Sequence, residues 1–173
     1  AQGYSVGTSK MEAEMVESAK GMMERAAAKG VKLMIPTDVV CADVFAEGAN
    51  TKTCKVNEIP EDMMGLDIGP ETVKAYAEAI KDAKMVFWNG PMGVFEFPSF
   101  EAGTRGVAEA VAACEGNTII GGGDSVAAIK KFGLADQVSF ISTGGGASMQ
   151  LLEGKELPGV AALMDKGQAN GTV

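Results

Sequence analysis

The sequence predicts an α/β fold: a Rossmann-like parallel sheet with helices on both faces. Three observations carry this. Helix and strand patterns alternate through the second half of the 173 residues. Two strand–Gly-Gly-Gly–helix units, TIIGGGDSVAAIKKFG (118–133) and FISTGGGASMQLLEG (140–154), stand in tandem. Aromatic residues are scarce at 6%, against 23 glycines and 11 methionines. That composition suits tight helix–strand packing better than an all-β sandwich.

In chain order, residues 8–30 read as a helix. Ser9 followed by Glu12 is a capping box, Gly30 is a C-cap, and Met11, Met15, Ala19, Met22 and Ala26 form one face that would pack in the core. VKLMIP (31–36) is a short apolar strand stopped by Pro36. DVVCADVFA and TKTCKV are extended segments about the turn EGAN, and the second alternates as a strand with one wet face does. MMGLDIGP reads as a loop, after which Pro70 opens the helix PETVKAYAEAIKDA at its first turn. KMVFW is a strand broken by Asn89-Gly90-Pro91, and a helix runs from about Glu101 to Cys114. The two glycine units complete the order. DKGQANGTV is a polar tail expected to be mobile.

Composition narrows the function classes. A formal net charge of −8 argues against nonspecific binding to nucleic acid or an anionic membrane, and no apolar run is long enough to span a bilayer. Cys41, Cys54 and Cys114 are scattered, with no C-x-x-C and no histidine, so they read as buried free thiols in a reducing compartment, the cytoplasm. AQGYSVG at the start has the character of an element end and a turn. The chain is therefore expected to be a fragment.

In an open α/β sheet the strand–helix turns gather at the carboxyl ends of the strands, where ligands bind. This places Gly121–Gly123, Gly144–Gly146 and the loop after KMVFW on one rim. Glycines let backbone approach a ligand, and the unpaired amides of a helix amino terminus, with its dipole, hold an anion without lysine. An acidic chain can therefore bind phosphate locally. Asp124 has two readings. It can face a Mg²⁺ ion shared with phosphate oxygens, with Ser125 as a hydroxyl donor, or Asp124-Ser125 can be an ordinary N-cap pair. Neither the P-loop pattern nor G-x-G-x-x-G is present, which disfavours P-loop enzymes and nicotinamide dehydrogenases. In WNGPMGVFEF, Glu96 sits among Val94, Phe95 and Phe97. It is either a ribose-diol acceptor or a carboxylate reaching water. Trp88 reads as core.

MGLDIGPETV, WNGPMGVFEF, GGGDSVAAIKKFG and STGGGASMQLLEGKELPGVAAL, in their relative order along the chain, resemble the carboxyl-terminal half of phosphoglycerate kinases. The resemblance covers nearly all of the chain apart from the tail. It implies a partial nucleotide-binding domain over 1–165, with 166–173 as the tail. It implies Mg²⁺-dependent transfer of a phosphoryl group between 1,3-bisphosphoglycerate and ADP, giving 3-phosphoglycerate and ATP, a glycolytic step in the cytoplasm. By the same resemblance Glu96 binds ribose, Leu66 and Val94 wall the adenine slot, and Asn89, Gly90 and Pro91 lie beside the phosphates. Gly121, Gly122, Gly123, Asp124 and Ser125 form the phosphate and magnesium segment, with Asp124 on the metal. Ser142 and Thr143 resemble a hinge. Gly144, Gly145 and Gly146, with Gly122 and Gly123, face the transferring group and take the catalytic role.

The family's arginine- and histidine-rich glycerate site has no counterpart here, where Arg25 and Arg105 are the only arginines. A family segment bearing a glycine-rich loop, phosphate-binding lysines and sheet strands is also missing. Less than half of an enzyme is thus expected, inactive by itself and in need of the missing amino-terminal half for glycerate. The alternatives are a Mg-nucleotide-binding module without catalysis and a folded fragment with a broken site.

Overall fold

The computed structural model describes residues 1–163. The expected tail, 166–173, and the end of the expected domain lie outside the described residues. A short 3₁₀ turn, Ala13–Met15, leads into α1, Val16–Ala28. There follow β1 (Asp38–Ala42), β2 (Thr51–Lys55), β3 (Met64–Ile68), α2 (Pro70–Lys81), β4 (Met85–Asn89) and α3 (Ala102–Ala112). Last come β5 (Asn117–Gly121), α4 (Gly123–Lys131), β6 (Phe140–Ile141), α5 (Gly145–Leu152) and α6 (Pro158–Ala161).

The fold is mixed α/β. The strands β4, β5 and β6 form a parallel sheet in that order, with Asn89 opposite Gly121 and Ile120 opposite Ile141. α2 packs on α3, and α3 on α4. Val107, Ala108 and Val111 of α3 and Ala128 and Ile129 of α4 bury against Trp88 and Ile120 of the sheet. The second sheet is antiparallel, in the order β2-β1-β3, with a register break after Val40 on the β3 side.

Four expectations need correction. MMGLDIGP is not a loop: its centre is β3. Two glycines and an aspartate read as turn chemistry, yet the strand persists because it pairs with β1 and its Asp67 is satisfied by main-chain amides. VKLMIP is not a strand. Among the described residues it has no ladder partner, Val31, Leu33 and Ile35 stay exposed, and the Tyr76 hydroxyl donates to the Met34 carbonyl. Ser9 and Glu12 form no capping box: Glu12 has no cap hydrogen bond, and the Ser9 hydroxyl instead accepts from the Gly65 amide at 3.0 Å. The methionine face of α1 is not core either. Met11, Met15 and Met22 are about half exposed or more, and no residue of α1 is buried. Helical periodicity reports amphipathicity but not what covers the apolar face.

Candidate nucleotide site

At the carboxyl edge of the parallel sheet the two glycine turns touch. Gly145 leaves no room for a side chain: a Cβ there would lie 2.7 Å from the Gly122 nitrogen and 2.8 Å from its Cα. Gly122 itself has φ +83°, a conformation reserved for glycine, and a side chain on it would collide with the Asn89 carboxamide. The sheet register brings Asn89 alongside Gly121. Asn89, Gly121–Gly123 and Gly144–Gly146 therefore share one rim.

The helices that leave this rim start open. α4 has Gly122 as its N-cap and α5 has Gly144, so neither cap brings a side chain. Their first-turn amides meet no side-chain acceptor among the described residues. Asp124 is exposed in the first turn of α4, one residue inside the helix rather than at the cap, so it does not serve as an N-cap. Ser125 is fully buried, and its oxygen accepts from the Gly90 amide at 2.6 Å. That bond fixes the turn after β4, where Gly90 takes φ +107°. Ser142 is buried as well: its amide donates to the Ile120 carbonyl at 2.8 Å, its hydroxyl lies 2.9 Å from that of Ser148, and it receives the Gly144 amide at 3.3 Å. Thr143 beside it is exposed.

Leu66 and Val94 line one cavity of about 660 Å³, and the Val94 amide donates to the Leu66 carbonyl at 2.9 Å. Phe45, Met64 and Lys10 are among the other residues that line it. Sequence reading missed Phe45, which comes from the β1–β2 connection and packs against Phe97 at 5.4 Å between ring centroids. Nothing local marks it. Glu96 is exposed, near this cavity in sequence but without a bonding partner among the described residues. Trp88 is core, as expected, and its indole N–H donates to the Gly90 carbonyl at 2.7 Å.

A second missed group braces the loop that carries Val94 and Glu96. Lys131 donates to the Phe95 carbonyl at 2.6 Å and pairs with Glu101 at 2.8 Å. Arg105 pairs with the same carboxylate at 2.6 Å and lies over the Phe132 ring. The Arg105 and then the Lys131 hydrogen bonds hold Glu101 below the usual glutamate range.

Among the described residues no three potential metal ligands cluster. A single exposed carboxylate at a helix mouth still fits Mg²⁺, which keeps waters and binds through one or two carboxylates plus phosphate oxygens.

The family model for phosphoglycerate kinase matches residues 1–155. This chain belongs to the phosphoglycerate kinase family. It is 58% identical over 165 residues to a phosphoglycerate kinase of Roseiflexus sp. (strain RS-1), and 57% identical over 168 residues to a cytosolic one of Nicotiana tabacum. Each match covers 95% of this chain and 42% of the relative, so the chain spans less than half the length of the proteins it matches. The structure of the phosphoglycerate kinase from Coxiella burnetii superposes with a TM-score of 0.89 at 43% identity, over 92% of this chain and 41% of that one. That from Pyrococcus horikoshii OT3 gives 0.70 at 29%, over 93% and 40%. No described helix is long and apolar enough to cross a membrane.

Proposed function

We propose that this chain carries the nucleotide side of a phosphoglycerate kinase, with Mg-ADP or Mg-ATP as its ligand. The observation that carries the reading is the backbone contact of Gly145 with Gly122, which sets two uncapped helix mouths side by side at the carboxyl ends of parallel strands. Gly121, Gly122 and Gly123 with the α4 amides hold the nucleotide phosphates. Asp124 holds the magnesium ion that screens them. Leu66, Val94 and Phe45 wall the base, and Glu96 accepts from the ribose hydroxyls. Asn89, Gly90 and Pro91 fix the edge of the site, with Ser125 locking that turn. Gly144, Gly145 and Gly146 present the α5 amides to the phosphoryl group in transit. The partial nucleotide-binding domain covers 1–165, and the setting is cytoplasmic glycolysis.

Phosphoryl transfer depends on positioning both substrates and neutralising their charge. In this chain Arg105 is committed to Glu101 and Phe132, which leaves it unsuited to a glycerate phosphate. The chain alone is therefore expected to bind nucleotide without turnover, and the glycerate site belongs to the amino-terminal half of the relatives.

Titration calorimetry with MgADP tests the binding. A measurable heat is expected, with affinity falling about tenfold in Asp124→Asn and less in Glu96→Gln. A folded chain that gives no heat would instead mean that the site needs residues the relatives carry outside the matched span. A coupled assay should show no ATP formed from 1,3-bisphosphoglycerate; turnover near that of a complete enzyme would defeat that part of the reading.

A further inference from the structure

We propose that Cys41 and Cys54 form a dithiol modification site, oxidised by a peroxide to a disulfide that pins the edge strand β2 to β1. Their sulfurs lie 3.6 Å apart. Cys41 stands opposite Lys52 and Cys54 opposite Val39, so the two cysteines are diagonal neighbours on one face of the antiparallel pair. Cys114, by contrast, follows α3, where its thiol donates to the Ala83 carbonyl.

Bond formation requires the sulfurs to close by roughly 1.5 Å, to the usual disulfide length. β2 can supply that movement. It is an edge strand whose ladder partner is β1, four of its five residues are exposed, and its further tie to α2 is the exposed Lys55–Glu71 pair at its end. β1 is the fixed partner, paired on both sides, with Cys41 fully buried. Cys54 is half-buried and is the sulfur a small oxidant reaches first. Burial and the neighbouring Cys54 push the Cys41 thiol up to about 12, so Cys41 remains a thiol while the more accessible Cys54 meets the oxidant.

The steps balance with hydrogen peroxide as oxidant. The Cys54 thiolate attacks one peroxide oxygen, the O–O bond breaks, and the departing hydroxide takes a proton to become water. Cys54 is then a sulfenic acid. The Cys41 sulfur attacks the Cys54 sulfur, the S–O bond breaks, and the Cys41 proton leaves with that hydroxyl as a second water. Two thiols are oxidised to one disulfide, and both peroxide oxygens are reduced.

The bond would close a ring through the β1–β2 connection. That connection is already clasped at its base, where the Asn50 side-chain amide donates to the Asp43 carboxylate at 2.7 Å. It carries Phe45 into the cavity beside Leu66 and Val94. Oxidation therefore stiffens one wall of that cavity whatever ligand the cavity takes, and the inference does not depend on the nucleotide reading.

The test treats the full chain with hydrogen peroxide, then combines mass spectrometry of non-reduced peptides with hydrogen exchange. Expected are an intact mass two hydrogens lighter, a peptide linking Cys41 to Cys54, reversal by dithiothreitol, and amide exchange slowed about tenfold across residues 51–55. Cys114→Ser should oxidise identically. Cys54→Ser, a change at a half-exposed edge position that leaves the buried Cys41 in place, should abolish the mass loss. The proposal is overturned if folded protein yields only sulfinic or intermolecular products, if the link runs to Cys114, or if exchange at 51–55 is unchanged once the link has formed.

Discussion

Two pairs of helix mouths differ in what occupies them. At the antiparallel sheet they are filled from within. Asp38 of β1 accepts from the amides of Glu71 at 3.0 Å and Thr72 at 2.8 Å, and from the Thr72 hydroxyl at 2.6 Å, so a strand carboxylate caps α2. Asp67 of β3 does the same for α3 through the Gly103 amide at 2.6 Å. Gly69 and Gly103 make this possible, since a side chain on either would strike the carboxylate. At the parallel rim the mouths of α4 and α5 receive no such group among the described residues. The same backbone feature is a joint at the antiparallel sheet and, on the proposed reading, an anion seat at the parallel rim. An orphan amide that the fold satisfies itself is structure; a pair left open side by side is a candidate for a ligand.

The largest expected effect is at a filled mouth. Asp38→Ala strands the buried Thr72 amide and the partly buried Glu71 amide, leaves the Thr72 hydroxyl only the Asp38 main-chain carbonyl, and should cost about 2–4 kcal/mol of stability, read from urea unfolding. MgADP affinity of the remaining folded protein should hardly change. A neutral Asp38→Ala would break the distinction between joint and seat.

The two caps should also respond oppositely to pH. Burial raises Asp67 from 3.8 to about 6, and the Gly103 and Ile68 amides only partly oppose it. Its contribution is fully present below about pH 4 and is lost as pH rises through about 6, a fall of roughly 2–3 kcal/mol at most. For Asp38 burial pushes up too, but the Thr72 hydroxyl and the Glu71 and Thr72 amides outweigh it and hold the carboxyl low. Its contribution is present above the ordinary carboxylate range and is lost as pH falls below it. Urea titrations between pH 3 and 7 should show Asp67→Asn flattening the upper half of this profile while leaving the acid limb in place.

The smallest stability change is expected at an open mouth. Gly145→Ala forces the two rim backbones apart, and because α5 has no buried residue it can shift, at about 1 kcal/mol. Nucleotide affinity should nonetheless fall at least tenfold by calorimetry, since the paired amides no longer converge. An unchanged affinity would show that the contact between the turns is packing alone.

What the sequence disclosed follows the same division. The rim was legible because its signals are local: an apolar run, three glycines and a helix start place each turn, and the parallel order brings them together. β3 was not, because Gly65, Asp67 and Gly69 carry turn chemistry whose purpose is to bring a carboxylate against a helix far along the chain. The caps of α2 and α3 are invisible for the same reason, since Asp38 and Thr72 are 34 residues apart. Phe45 and the Lys131–Glu101 brace join the site only through tertiary contact. The exposed Met11, Met15 and Met22 show the converse limit: a pattern can fix the helix and still leave its covering undetermined.

The bond from the Trp88 indole to the Gly90 carbonyl has a practical consequence. Trp88 is the chain's only tryptophan, and its ring nitrogen is tied to the turn that Ser125 holds in place. Its emission is therefore an intrinsic optical gauge of that turn, readable in unlabelled protein by ordinary fluorimetry.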